Sequence, residues 1–211
     1  MEFEELVDKL KDELQKPLPG MKGQIKMAPK PVNDTRFNFD HLDDVKLGGV
    51  LILLYPKNGS IYIPLTERNK YPGVHSGQIS LPGGKKERQD ADLIDTAIRE
   101  TTEEIGVPSE AMHVLGNLSE LYIQASNFKV LPTVGYVTQS PEFINDEREV
   151  ANLLEVSLDE LMNPEIQFSK QMKVRSDLEL YIPYFDVQDQ MVWGATAMIL
   201  SEFITVLNRI N

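Results

Sequence analysis

The chain has 211 residues, 41% of them hydrophobic and 26% charged, and a formal net charge of −12. That length allows one full core; the lack of cysteine excludes disulfides and thiolate metal sites, and no apolar run approaches the ~20 residues that span a bilayer. The acidic balance argues against nucleic acid or an anionic membrane as a partner, and the acidic start, Met1 to Leu6, is unlike a signal peptide, so a cytoplasmic protein is expected.

Phe3, Leu6, Val7, Leu10 and Leu14 recur at helical spacing and predict an amphipathic helix that stops at Pro17 and Pro19-Gly20. Its apolar stripe would pack on the core or on a second copy of the chain, which leaves a homodimer open. Its polar face is not basic, which argues against membrane attachment. Residues 20 to 44 carry Gly, Pro, Asn and Asp and read as a connecting loop. The expected organisation is therefore an N-terminal helical extension, 1–44, followed by one domain, 45–211.

Within that domain, the apolar run Val50 to Tyr55 and the run Ile61 to Leu65 flank Asn58-Gly59 and predict a hairpin. Residues 92 to 105 have helical periodicity, with Ile94, Ile98 and Ile105 on one side. Further strands are expected near 111–122, 129–138 and 179–186. A last helix, about 195–209, carries Ala197, Leu200, Phe203, Ile204 and Leu207 as its stripe. Strands interleaved with a few helices suggest an α/β fold, a mixed sheet between helices.

The chemistry concentrates in one stretch. Gly83-Gly84-Lys85-Lys86-Glu87-Arg88-Gln89-Asp90 leads into Arg99-Glu100-Thr101-Thr102-Glu103-Glu104-Ile105-Gly106-Val107. On a helix Glu100, Glu103 and Glu104 stand at i, i+3 and i+4, so three carboxylates share a face. Like charges at that spacing repel, and the C-terminal end of a helix dipole disfavours anions. Gly106 suits a left-handed cap. Acids gathered at that end call for a cation, and hard divalent ions such as Mg2+ or Mn2+ take oxygen ligands. Arg99, four residues before Glu103, could hold it by a charge-assisted hydrogen bond. Read without further context, the same helix could equally present a solvated acidic face with a surface ion pair.

The whole pattern resembles the box of the Nudix family, G-x(5)-E-x(7)-R-E-U-x-E-E-x-G-U with U aliphatic. Arg99, Glu100, Glu103, Glu104, Gly106 and Val107 match its second half, and Thr101 stands at an aliphatic position. In the first half Asp90 replaces the glutamate, and eight residues rather than seven separate it from Arg99. The upstream run is similar to the segment of the coenzyme A pyrophosphatase branch, L-L-T-x-R-(S/A)-x(3)-R-x(3)-G-x(3)-F-P-G-G. Leu65, Thr66, Arg68, Gly77, Pro82, Gly83 and Gly84 agree with it. Pro64, Asn69 and Leu81 depart from it, and Gly73 stands where the second arginine belongs.

The resemblance extends over roughly residues 45 to 210 and implies a Nudix-type α/β/α sandwich. It implies a magnesium- or manganese-dependent hydrolase that cleaves a diphosphate linkage in a small nucleoside diphosphate derivative. Coenzyme A or acyl-coenzyme A, split to 3′,5′-ADP and (acyl-)phosphopantetheine, is the leading substrate. ADP-ribose or a related compound is the alternative that Gly73 supports, and an idle binding module is the reading from another class. Glu100 and Glu104 are implied as main metal ligands, with Glu103 on another ion or acting through water, and the carbonyl of Gly83 as a further ligand. Glu103 and Glu149 are the candidates for general base, Arg99 orients the box, and Arg68, His75 and Lys85 are candidates for substrate binding.

Overall fold

The computed structural model describes residues 2–32, 44–69, 77–173 and 179–210. The backbone runs through α1 (Phe3–Glu13), α2 (Met21–Gln24), β1 (Lys46–Lys57), β2 (Ser60–Arg68), β3 (Ile79–Ser80), β4 (Gly83–Lys85) and α3 (Leu93–Ile105). It continues through β5 (His113–Asn117), β6 (Leu121–Ile123), β7 (Phe128–Tyr136), β8 (Val150–Ser157) and α4 (Leu158–Met162). β9 (Gln167–Lys173), β10 (Glu179–Val187), β11 (Gln190–Trp193) and α5 (Gly194–Leu207) complete it.

A mixed sheet forms around β1. Its strand order is β3-β2-β1-β7-β5, with β4 also on β1, β6 on β7 and β8 on β2. β1 and β7 run parallel over nine residue pairs, Lys46–Phe128 to Leu54–Tyr136. Parallel neighbours need a crossover, and α3 lies on it. β1 is covered on both faces, which is why Val50 to Tyr55 read as a continuous apolar run. Leu51, Leu53 and Tyr55 pack with Ala97 and Ile105 of α3, whereas Ile52 and Leu54 join a larger cluster with α1 and α5. Helices on both faces of a mixed sheet make the expected α/β/α sandwich. β9, β10 and β11 form a separate antiparallel sheet beside α5.

The stripe of α1 is buried within the chain's own core, where Phe3, Leu6, Val7 and Leu10 share a cluster with Leu65 and Phe203. The stretch read as a loop after it contains α2, held down by a carboxylate that periodicity did not flag. Glu202 of α5 is fully buried and accepts from Gly20 N–H (2.8 Å) and the Gln24 amide (2.8 Å), with Ser119 N–H at 3.4 Å. Three donors satisfy an anion that would otherwise be costly inside a protein. Ser119 lies in the short break that divides the strand expected at 111–122 into β5 and β6.

The core-facing side of α3 is made largely of small and polar residues. Its buried residues are Thr96, Ala97, Thr101, Glu104 and Ile105, while Ile94 and Ile98 are only half-buried. The reason is close approach: a Cβ on Gly49 of β1 would overlap the Leu93 carbonyl and lie 3.0 Å from Ala97 N. Only small side chains fit that contact. Thr101, which stands at an aliphatic position of the box, is accommodated because its hydroxyl donates to the Ala97 carbonyl at 2.6 Å.

Candidate active site

Both ends of α3 are built by local chemistry. Asp92 caps the start, its carboxylate accepting from Ile94 N–H (2.8 Å) and Asp95 N–H (2.9 Å). Gly106 ends the helix at φ 74°, a conformation that glycine adopts without penalty. A loop then docks on the exposed carbonyls of the last turn: Ile144 N–H bonds Ile105 O and Asp146 N–H bonds Glu104 O, both at 3.0 Å. The same loop carries Glu149.

Two glutamates converge on one piece of backbone. Glu104, 4% exposed, accepts from Gly83 N–H at 3.2 Å. The Glu100 carboxylate lies against Gly84, where any Cβ would overlap it. Gly83 itself sits at φ 148°, with Gly49 O and Val50 filling the place of a side chain. Arg68, at the end of β2, reaches the same point, its guanidinium 3.4 Å from Gly83 O and 3.9 Å from Glu104.

Burial dominates the electrostatics of this pair. It pushes the Glu104 carboxyl up to about 7, with Arg68 and the Gly83 N–H drawing it down and the charges of Glu100 and Glu149 adding to the rise. Burial likewise raises Glu100, against the pull of Arg99 and with the push of Glu103 and Glu149. The charge of Glu149 thus acts weakly on both carboxylates, although the residue is exposed and follows them by 45 residues or more.

Arg99 organises the other side. Its guanidinium donates to both oxygens of Asp90 (2.9 and 3.1 Å), to Glu100 (2.9 Å), to Glu103 (2.8 Å) and to the carbonyl of Lys85 (3.2 Å). Asp90 is buried and accepts further from Glu87 N–H (2.8 Å) and the Thr96 hydroxyl (2.9 Å). The Arg99 guanidinium holds the Asp90 carboxyl well below the usual carboxylate range, with burial opposing. Asp90 was not among the expected site residues. Its signal was its place at the glutamate position of the box.

The three box glutamates are thus divided. Glu100 and Glu104 meet at Gly83-Gly84, whereas Glu103 turns to Arg99 with its side chain 56% exposed. Among the described residues no group of three or more acidic or histidine side chains is assembled to hold an ion. Mg2+ nevertheless binds through one or two carboxylates while keeping waters. Two carboxylates pressed on a glycine pair whose Cβ positions are taken, one of them buried with a single backbone donor, fit that demand. Lys85 is exposed on β4 beside them. His75 and Gly73 lie outside the described residues.

The family model described as NUDIX domain matches residues 46–175. The chain belongs to the Nudix family. A protein named "Uncharacterized Nudix hydrolase NudL" from Yersinia enterocolitica serotype O:8 / biotype 1B is 36% identical over 145 residues, 68% of this chain and 73% of that one. Its namesake from Yersinia pestis (strain Pestoides F) is 35% identical over 137 residues, 64% and 67% of the two chains. Among solved structures, the Nudix hydrolase RenU from M. Smegmatis superposes with a TM-score of 0.53 at 17% identity, covering 78% of this chain and 86% of that chain, which supports the fold. This Nudix protein is accordingly a pyrophosphohydrolase, and Nudix hydrolases generally require a divalent metal ion. No helix among the described residues is long and apolar enough to cross a membrane.

Proposed function

We propose that this Nudix hydrolase cleaves the diphosphate of coenzyme A or acyl-coenzyme A, releasing 3′,5′-ADP and (acyl-)phosphopantetheine. The observation that carries the reading is the meeting of Arg68 with Gly83 and Glu104. It joins the two halves of the upstream motif to the box. β2 and β3 pair through Thr66–Ser80 and Glu67–Ile79, and Arg68 N–H bonds Gln78 O at 3.0 Å. The motif folds back on itself and delivers one arginine to the glutamates.

Glu100, Glu104 and the Gly83 carbonyl are the groups that would hold Mg2+ or Mn2+. Such an ion supplies charge neutralisation on the diphosphate and acidifies water. Arg68, freed toward substrate, would bind a phosphate oxygen, with Lys85 and His75 as further contacts. Water attacks phosphorus in line as the bridging oxygen leaves with its electron pair, and a carboxylate takes the proton. Glu149 suits that task better than Glu103, because Glu103 is engaged by Arg99 at 2.8 Å. Glu103 would then assist through water, and Arg99 would keep Glu100 and Glu103 in place.

A second reading rests on Gly73, which stands where the coenzyme A motif has an arginine. Loss of that cation favours a substrate with one phosphate fewer to grip, such as ADP-ribose. Incubation with coenzyme A, ADP-ribose and dinucleoside polyphosphates, with Mg2+ or Mn2+ and mass-spectrometric detection of products, separates the two. Faster turnover of ADP-ribose than of coenzyme A would defeat the first reading.

A further inference from the structure

Asn69 follows directly after Arg68, where the coenzyme A motif has a small residue. Its backbone N–H donates to the carbonyl of Glu149 at 3.1 Å, and its side-chain amide donates to the carbonyl of Glu147 at 2.8 Å. The two bonds grip the loop on either side of Arg148.

That loop is braced as a unit. The Asp146 carbonyl accepts from Glu149 N–H (3.0 Å) and Val150 N–H (2.9 Å). The Asp146 carboxylate accepts from Arg148 N–H (3.0 Å) and pairs with its guanidinium at 2.6 Å. On the far side, Ile144 and Asp146 bond the last turn of α3. Asn69 therefore closes a ring of three bodies: the end of β2 with Arg68, the end of α3 with Glu104, and the loop with Glu149.

We infer that Asn69 is a positioning residue whose side-chain amide fixes the loop so that Glu149 addresses the Glu100–Glu104 pair. The inference rests on the reading of Glu149 as the base. A hydrogen bond at the surface contributes little to overall stability, but a misplacement of ~1 Å near the reacting atoms costs up to ~100-fold in rate. Replacing Asn69 should thus act on turnover rather than on folding or substrate affinity.

The test is a double-mutant cycle on the full chain, with kcat and KM measured at saturating Mn2+ beside thermal melts. Asn69→Ala should lower kcat about tenfold, with KM within twofold and the melting temperature within ~2 °C. Asn69→Asp removes the donor and faces the Glu147 carbonyl with an anion, so it should lose at least as much. In a Glu149→Ala background Asn69→Ala should have no further effect. An Asn69→Ala enzyme with wild-type kcat, or one losing the same factor with and without Glu149, overturns the inference while leaving Glu149 as the base. A Glu149→Ala enzyme with wild-type kcat overturns the base assignment, and the positioning role falls with it.

Discussion

Glu104 accepts the backbone N–H of Gly83 at 3.2 Å while remaining 4% exposed, so a carboxylate at the last turn of α3 is tied directly to the glycine pair that opens the Nudix box. This bond joins the end of the helix to β4. Glu104→Gln keeps the shape and removes a buried charge. It should fold with an unchanged or higher melting temperature, since a sparsely compensated buried anion is costly. Diphosphate hydrolysis should fall by about 100-fold or more if Glu104 holds the ion. Retention of wild-type turnover would refute the ligand role.

Metal dependence should be visible apart from turnover. Chelation with EDTA should abolish activity, and Mg2+ or Mn2+ should restore it. Mn2+ at about 100 times its Kd stabilises the folded state by ~2.7 kcal/mol, which raises the melting temperature by a few degrees. A Glu100→Gln/Glu104→Gln double variant should lose that shift. An equal shift in the double variant would place the ion elsewhere.

Asp90 should make stability depend on acid. Its carboxyl titrates below the ordinary value near 4 because Arg99 stabilises the charged form. Such a group contributes stability that is present above about pH 4 and lost as pH falls through its lowered value. Asp90→Asn should therefore cost about 2 kcal/mol near neutrality, the scale of hydrogen bonds to charged groups. The gap between the two proteins in denaturant melts should begin to narrow below about pH 4, as the unfolded chain's aspartate takes up its proton, and go on narrowing as pH falls toward the lowered folded-state value. A constant gap between pH 7 and pH 3 would show that the loss is steric.

Glu202 provides a control remote from the chemistry. Glu202→Ala strands the N–H groups of Gly20 and Gln24 and opens a cavity under α2, for an expected loss of about 3 kcal/mol. Gly23→Ala should act similarly, because its Cβ would lie 2.9 Å from Glu202 Cα. The kcat of the folded fraction should stay unchanged. A selective loss of kcat without loss of stability would contradict this division of labour.

Much of the framework could be read in one dimension. The stripe from Phe3 to Leu14, the run from Val50 to Tyr55 and the Asn58-Gly59 turn announced α1, β1 and its hairpin with β2, because each obeys a local period or turn preference. β3, β4, β8, β9 and β11 did not announce themselves, nor did α4. Two or three residues such as Ile79-Ser80 carry no period, and β9 is a strand of mostly exposed residues held by its pairing with β10. Periodicity placed Ile94, Ile98 and Ile105 on one side of α3, and Ile105 is buried with Ile98 packed against its cluster; it did not show that the contact at Gly49 is made by the small Ala97.

By itself the order of residues determined which groups gather on α3. Arg99, Glu100, Glu103 and Glu104 share a helix, and helical geometry makes them neighbours whatever surrounds them. Tertiary structure alone decided what each of them meets. It pressed Glu100 and Glu104 onto Gly83-Gly84, turned Glu103 toward Arg99 and supplied Asp90 as the buried anchor. It also brought in Arg68 from β2 and Glu149 from a distant loop. Charge and burial act through space, and distances across a sheet and a docked loop are set by packing rather than by spacing along the chain.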